Sequence, residues 1–316
     1  MASLIEQAAR RLEQLRNAGA QIPEQAAPAA LSSSTSHVAT SALMPGYAVP
    51  RPAEPAPTSR QVVLDLDVLG AAGIVTPNAP RSHSADQFRL IKRPLLANAK
   101  AKGEKALKHG NLIMVTSSLS GEGKSFTSVN LAMSIAMELD NTVMLVDADV
   151  ARPSILRMLG LQGMPGLLDV LEGSKDMHSV LLKTNIDKLT VLPSGSSRPK
   201  ATELLASDAM RRLLDDMAAR YPDRIIIFDS PPLLLTTESR VLATQMGQVV
   251  MVVQAERTLQ ADVDHALSTI KGCANINLVL NKVRGTSSDG YGYGYGEGYG
   301  EGYGYGYGAP NGTAKG

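Results

Sequence analysis

Across the middle of the chain, short aliphatic runs alternate with longer amphipathic stretches. Leu112–Val115, Val143–Val146, Leu189–Leu192, Ile225–Phe228, Val249–Val253 and Ile276–Leu280 are each uninterrupted or nearly so in Leu, Ile, Val and Met. Runs that are short and apolar at every position read as strands covered on both faces. Between them, Ser125–Leu139, Ser154–Leu159, Ala201–Ala219, Ser239–Met246 and Thr258–Ile270 read as helices. Strand–helix alternation of this kind predicts a doubly wound α/β fold with a mostly parallel sheet. Ligands in such sheets sit at the carboxyl ends of the strands. Upstream, Asp86–Ala106 looks helical, with Pro94 expected to interrupt or restart it.

The flanks have a different character. Residues 1–20 contain a short amphipathic helix. Ser3 and Glu6 have capping-box spacing, Ile5, Ala8, Leu12 and Leu15 repeat helically, and Gly19 closes the run. The helix either docks on a protein or membrane or packs only locally. Residues 21–83 read as a Pro/Ala/Ser-rich linker, with a short apolar stretch at Val62–Leu69. The globular part is expected over 84–284. Residues 285–316 are a Gly/Tyr tail without aliphatic residues enough for a core. Seven of the nine tyrosines fall there: Tyr291, Tyr293, Tyr295, Tyr299, Tyr303, Tyr305 and Tyr307.

Composition narrows the function. A net charge of +1 disfavours a nucleic-acid binder, which needs a strong positive excess. Cys273 is the single cysteine, so an intramolecular disulfide and a thiolate metal cluster are excluded. There is no apolar run of bilayer-spanning length and no signal-peptide core near Met1, so a cytoplasmic location is expected, with membrane contact only through a partner. Residues 81–108 hold eight Lys or Arg against two acids. They form a solvated helix face, a subunit interface or a contact for an anionic membrane.

Three motifs carry chemistry. Ser117–Phe126 reads SSLSGEGKSF between a strand and a helix. Gly123-Lys124-Ser125 completes the P-loop pattern, with Ser118 where its first glycine would stand. Gly121, Glu122, Gly123, Lys124, Ser125 and Phe126 are therefore candidate nucleotide contacts. Loop amides and the helix N-terminus would meet the phosphates, Lys124 the β/γ-phosphates and the Ser125 hydroxyl Mg²⁺. After the next strand, Asp147 and Asp149 leave on one side of the chain, a pair that calls for a nearby cation. One could accept a proton from an attacking hydroxyl. Asp229 ends the apolar run Ile225–Phe228 as a Walker B aspartate does. Lys124, Asp147, Asp149 and Asp229 are the candidate catalytic residues, with Ser125, Asp149 and Asp229 as metal ligands. Asn281, ending the sixth apolar run, is a candidate adenine contact.

In this order the motifs resemble those of the bacterial tyrosine kinases, with Asp147 and Asp149 matching the Walker A′ motif. Gly166–Leu171 (GLLDVL), Leu192–Gly195 (LPSG) and Glu203-Leu204-Leu205 resemble further family segments. The resemblance covers roughly 84–308. It implies a P-loop NTPase fold of the MinD/ParA-like type, ATP and Mg²⁺ as cofactors, and autophosphorylation of the tyrosine tail in trans. It also implies a homo-oligomeric ring, built in this family through E-x-x-R-x-x-R, whose spacing is occupied here by Asp86, Arg89 and Lys92. Asp65-Leu66-Asp67, Gly73–Pro77 and Phe88–Ala99 look like the exosortase-associated subgroup. That likeness implies a role in exopolysaccharide synthesis and export, a membrane chain-length determinant protein as activator at the inner membrane, and a tyrosine phosphatase as counterpart. The rival expectation is a MinD/ParA-type ATPase switch or a non-kinase assembly factor. The ATPase type carries an extra lysine where Leu119 stands. A Gly-rich chain of about 15 residues, from Arg284 to the middle of the cluster, spans roughly 20–25 Å, comparable to a domain radius, so tyrosines could reach a neighbouring subunit.

Overall fold

The computed structural model describes residues 59–78, 82–220, 223–273 and 275–284. The expected N-terminal helix, most of the expected linker and the tyrosine tail lie outside the described residues.

The aliphatic runs form one sheet. Its strands are β1 (Arg60–Gln61), β2 (Leu112–Ser117), β3 (Thr142–Asp147), β4 (Leu182–Lys183), β5 (Leu189–Leu192), β6 (Arg224–Asp229), β7 (Gln248–Gln254) and β8 (Ile276–Asn281). They lie in the order β1-β4-β5-β3-β6-β2-β7-β8. Every pairing is parallel except β4 with β5. Continuous apolarity follows from burial on both faces. Ile113, Val115, Val143, Leu145, Ile225, Ile227, Val250 and Val252 pack under helices His83–Ala99 and Lys124–Ala136. Their alternates, Leu112, Met114, Met144, Val146, Ile226, Phe228, Val249 and Met251, pack under Ala201–Leu205, Asp208–Arg220, Thr237–Gln245 and Gln260–Ser268. Parallel order puts the carboxyl ends of β2, β3 and β6 side by side. Asp147 of β3 and Val115 of β2 both pair in register with Asp229 of β6.

Three differences from the sequence reading have physical causes. First, residues 59–78, expected as linker, are built into this unit. Leu64, Leu69 and Ile74 are buried. The Asn185 side chain exchanges two hydrogen bonds with the Leu64 backbone, at 2.9 and 3.0 Å. Val75 N–H donates to Asn130 Oδ1 at 2.7 Å. Second, Pro94 does not break helix His83–Ala99. Pro94 and Leu90 lie on the exposed side, where water can reach the carbonyl that loses its intrahelical donor. Third, Ala201–Ala219 divides at Ser207. Its hydroxyl donates to Leu204 O and accepts from Met210 N–H, closing one helix and capping the next.

Candidate active site

The site is built on the turn between β2 and the helix Lys124–Ala136. Its start is tied to the segment after β6, whose Leu233 and Leu234 N–H groups donate to Ser117 O and Ser118 O. Gly121 and Gly123 take φ of +86° and +102°, backbone territory open to glycine. A Cβ on Gly123 would collide with the Asn281 side chain. The loop ends at the helix N-terminus, where Lys124 lies.

Lys124 points at the acids. Its ammonium lies 2.6 Å from Asp149 Oδ2 and 3.4 Å from Ser125 Oγ. Burial pulls its pKa down, but Asp229, Asp149 and Asp147 push it up more strongly, so the lysine is held charged. Asp147 and Asp229 are 1% and 0% exposed. Burial pushes Asp147 up to about 7; the Asp229 charge adds to this, and N–H donors from Ile155 and Ser154, each 3.0 Å from Oδ2, oppose it. Burial likewise raises Asp229 to about 6, against the lowering by Lys124 and by hydroxyls of Ser125 and Ser128. Three acids thus share one lysine.

The oxygens left over are specific. Asp149 has both carboxylate oxygens engaged, one by Lys124 and one by Arg152 N–H. Asp147 Oδ1 and Asp229 Oδ2 are buried without a hydrogen-bond partner. Partnerless buried carboxylate oxygens beside a serine hydroxyl match the hard oxygen donors that Mg²⁺ takes. The residues fit that ion, and Asp229 and Ser125 among them are two of the three expected ligands. Asp149, also expected as a ligand, is instead occupied as the partner of Lys124.

Other expectations are redistributed. The Phe126 ring packs into the hydrophobic core, against the backbone of Gly73, so its side chain does not line the site. The Glu122 carboxylate is 2% exposed and turns back to accept from Leu119 N–H at 2.6 Å and from the Thr258 hydroxyl. Asn281 does reach the loop, but by donating to Glu122 O at 2.8 Å. Asp86 and Arg89 form an exposed ion pair with each other. Lys92 is buried, donates to Ser134 O at 2.6 Å and pairs with Glu138 at 2.5 Å, which holds that carboxyl below its ordinary range. Its ammonium therefore joins two helices of one subunit and is not presented to a neighbour. Ser128 is a site residue that the motifs do not name. It donates to Asp229 Oδ1 at 3.1 Å from one helical turn beyond Lys124, a spacing that could have revealed it.

An AAA domain family model matches residues 110–281, which contain the whole site. The tyrosine-protein kinase YwqD of Bacillus subtilis is 29% identical over 222 residues, spanning 70% of this chain and 90% of that protein. The tyrosine-protein kinase CpsD of Streptococcus agalactiae is 31% identical over 179 residues, spanning 56% of this chain and 77% of that one. The chain belongs to the bacterial tyrosine-protein kinase family. Among solved structures, the VpsO kinase domain is 26% identical, with a TM-score of 0.53 over 63% of this chain and 96% of that one. Some relatives are much longer. The putative tyrosine-protein kinase EpsB of Ralstonia nicotianae is 34% identical over 175 residues, but the match spans only 22% of its length. Within this bacterial tyrosine-protein kinase, the residues that the family model matches run from β2 to β8 and include the P-loop. Among the described residues no helix is long and apolar enough to cross a membrane.

Proposed function

We propose that this kinase binds ATP with Mg²⁺ along Gly121–Thr127 and transfers the γ-phosphoryl group to tyrosines of its own tail, Tyr291 to Tyr307, on a neighbouring copy. The observation that carries the proposal is the set of three buried acids sharing Lys124, with one oxygen of Asp147 and one of Asp229 unpartnered. Such a site gains from a cation and has an acceptor oxygen for a phenol proton.

Each residue then has a task. Lys124 has three donors, and Asp149 and Ser125 engage two, leaving one for a phosphate oxygen. Loop amides and the helix N-terminus stabilise negative charge at the transferring group, and phosphoryl transfer depends on such stabilisation more than on any covalent chemistry the protein could offer. Ser125 and Asp229 would hold Mg²⁺, which when bound neutralises phosphate charge. Asp147, pushed up to about 7, is poised near neutral pH to orient the tyrosine hydroxyl and take its proton. Asp149 keeps Lys124 extended.

The resemblance to exosortase-associated autokinases supports a wider setting: control of exopolysaccharide synthesis and export, activation by a membrane chain-length determinant protein at the inner membrane, and reversal by a tyrosine phosphatase. The deciding experiment incubates purified protein with ATP and Mg²⁺ and maps phosphotyrosine by mass spectrometry. Phosphate is expected on the tail of the parent and not of Lys124→Met or Asp147→Asn. Tail modification by both variants at the parent's rate would refute the site. ATP hydrolysis without phosphotyrosine would indicate an ATPase switch instead.

A further inference from the structure

The tip of the P-loop is held from outside by residues that no phosphate-binding pattern contains. Lys282 Nζ donates to Gly121 O at 2.6 Å, and Asn281 Nδ2 donates to the next carbonyl, Glu122 O, at 2.8 Å. Both donors stand at the end of β8. A third tie runs through the Glu122 side chain, whose carboxylate accepts from the Thr258 hydroxyl. That hydroxyl itself accepts from Gln254 N–H at 3.2 Å, so its proton is committed to Glu122. The anchors are fixed in turn. Thr258 N–H donates to Gln254 O, and Ala255 N–H donates to Asn281 O.

Peptide geometry sets what these ties do. In a trans peptide the C=O of one residue and the N–H of the next point in opposite directions. Drawing the carbonyls of Gly121 and Glu122 toward β8 therefore turns the N–H groups of Glu122 and Gly123 to the other side of the loop. Neither N–H donates to a backbone or side-chain acceptor among the described residues. A glycine-rich loop alone would not hold this orientation, because Gly121 and Gly123 are the residues with most backbone freedom.

Resting on the reading that ATP occupies the P-loop, we propose that Thr258 and Asn281 are positioning residues for phosphate binding. Asn281 fixes the Glu122–Gly123 peptide plane directly and Thr258 holds the Glu122 side chain, so that, with Lys282 on Gly121 O, two P-loop N–H groups stay turned toward the nucleotide phosphates. This assigns Asn281 to the loop backbone, in place of the adenine contact expected from its position in the sequence.

The test measures ATP and GTP affinity by calorimetry with Mg²⁺, and competition by inorganic tripolyphosphate, for the full chain and three variants. Thr258→Val keeps the side-chain shape and removes the hydroxyl. It is expected to weaken ATP and tripolyphosphate by the same factor, about tenfold, the scale of one hydrogen bond to a charged group. Thr258→Ser should restore both. Asn281→Ala should weaken ATP and GTP equally, and it stands independently should Thr258→Val not fold. The proposal is overturned if Thr258→Val and Asn281→Ala bind ATP as the parent does. It is equally overturned if tripolyphosphate is unaffected, or if Asn281→Ala changes the ATP-over-GTP preference. A parent chain that binds no ATP would instead sink the P-loop reading itself.

Discussion

Replacing Asp147 with asparagine should stabilise the nucleotide-free protein while destroying its activity. The Asp147 carboxyl is 1% exposed, beside the fully buried Asp229. Burial, then the Asp229 charge, raise it from 3.8 to about 7. A carboxyl with a raised folded-state pKa costs no stability below its unfolded value. The cost grows as pH rises through the interval between 3.8 and 7 and is complete above it. At about 1.4 kcal/mol for each tenfold change in the proton equilibrium, the limit at pH 8 is about 4 kcal/mol. Asp229, itself held up to about 6, shares this repulsion, so removing one charge recovers roughly half, about 2 kcal/mol.

The amide suits the place. Its oxygen can accept the N–H groups of Ser154 and Ile155, and its NH₂ takes the position of the partnerless Oδ1. Urea unfolding without nucleotide or Mg²⁺ checks the magnitude. Asp147→Asn should gain about 2 kcal/mol at pH 8 and less than half of that at pH 5, where the folded parent keeps the proton. In the kinase assay the same variant should lose at least about a hundredfold in rate, the lower end for a general base. An equal stability change at both pH values, or a loss that deepens with pH, would refute the electrostatic argument.

Lys124→Met should do the opposite. It strips the shared cation from three acids, so at pH 8 unfolding in urea should show a loss of about 3–5 kcal/mol that shrinks toward pH 5 as Asp147 and Asp229 protonate. Lys92→Ala should lower the melting temperature, because the Ser134 carbonyl and Glu138 lose their partner, and should leave the particle mass by light scattering unchanged; a dissociated oligomer with an unchanged melting temperature would return Lys92 to the interface. Arg89→Ala removes one exposed ion pair and should change stability by no more than about 0.5 kcal/mol in a chemical denaturation series. Full tail phosphorylation adds roughly −10 to −14 charges across seven tyrosines, so the unphosphorylated protein should assemble and the phosphorylated one should not; equal masses in solution would count against this.

Much of the architecture was legible because it is written in local runs. β5 has the bounds its aliphatic run predicted, and the other five predicted strands extend by one or two residues into polar ends such as Ser117, Asp147 and Asp229. The places of Lys124, Asp147 and Asp229 were legible for the same reason, since each marks a strand end or helix start, whereas Asp149 lies two residues beyond β3. Elements whose signal is a partner far along the chain were not. The two-residue strand at Arg60 reads as linker until Lys183 O accepts from Val62 N–H. Lys92 reads as a surface charge, because nothing near it in sequence announces Ser134 and Glu138.

The division of labour among the acids shows what spacing alone leaves open. Asp147 and Asp149 are two residues apart, and their spacing suggests one shared environment. Yet Asp149 meets Lys124 and the Arg152 N–H, whereas Asp147 meets two backbone N–H groups on one oxygen and nothing on the other. The difference arises because Asp147 still belongs to β3, in register with Asp229, and Asp149 has already left the sheet. Charge repulsion therefore falls on the strand-borne pair and charge compensation on the loop-borne acid. A buried carboxyl with a free oxygen and a lysine partner thus emerge from residues that a motif describes identically, and exchanging the two places would require moving the end of a strand.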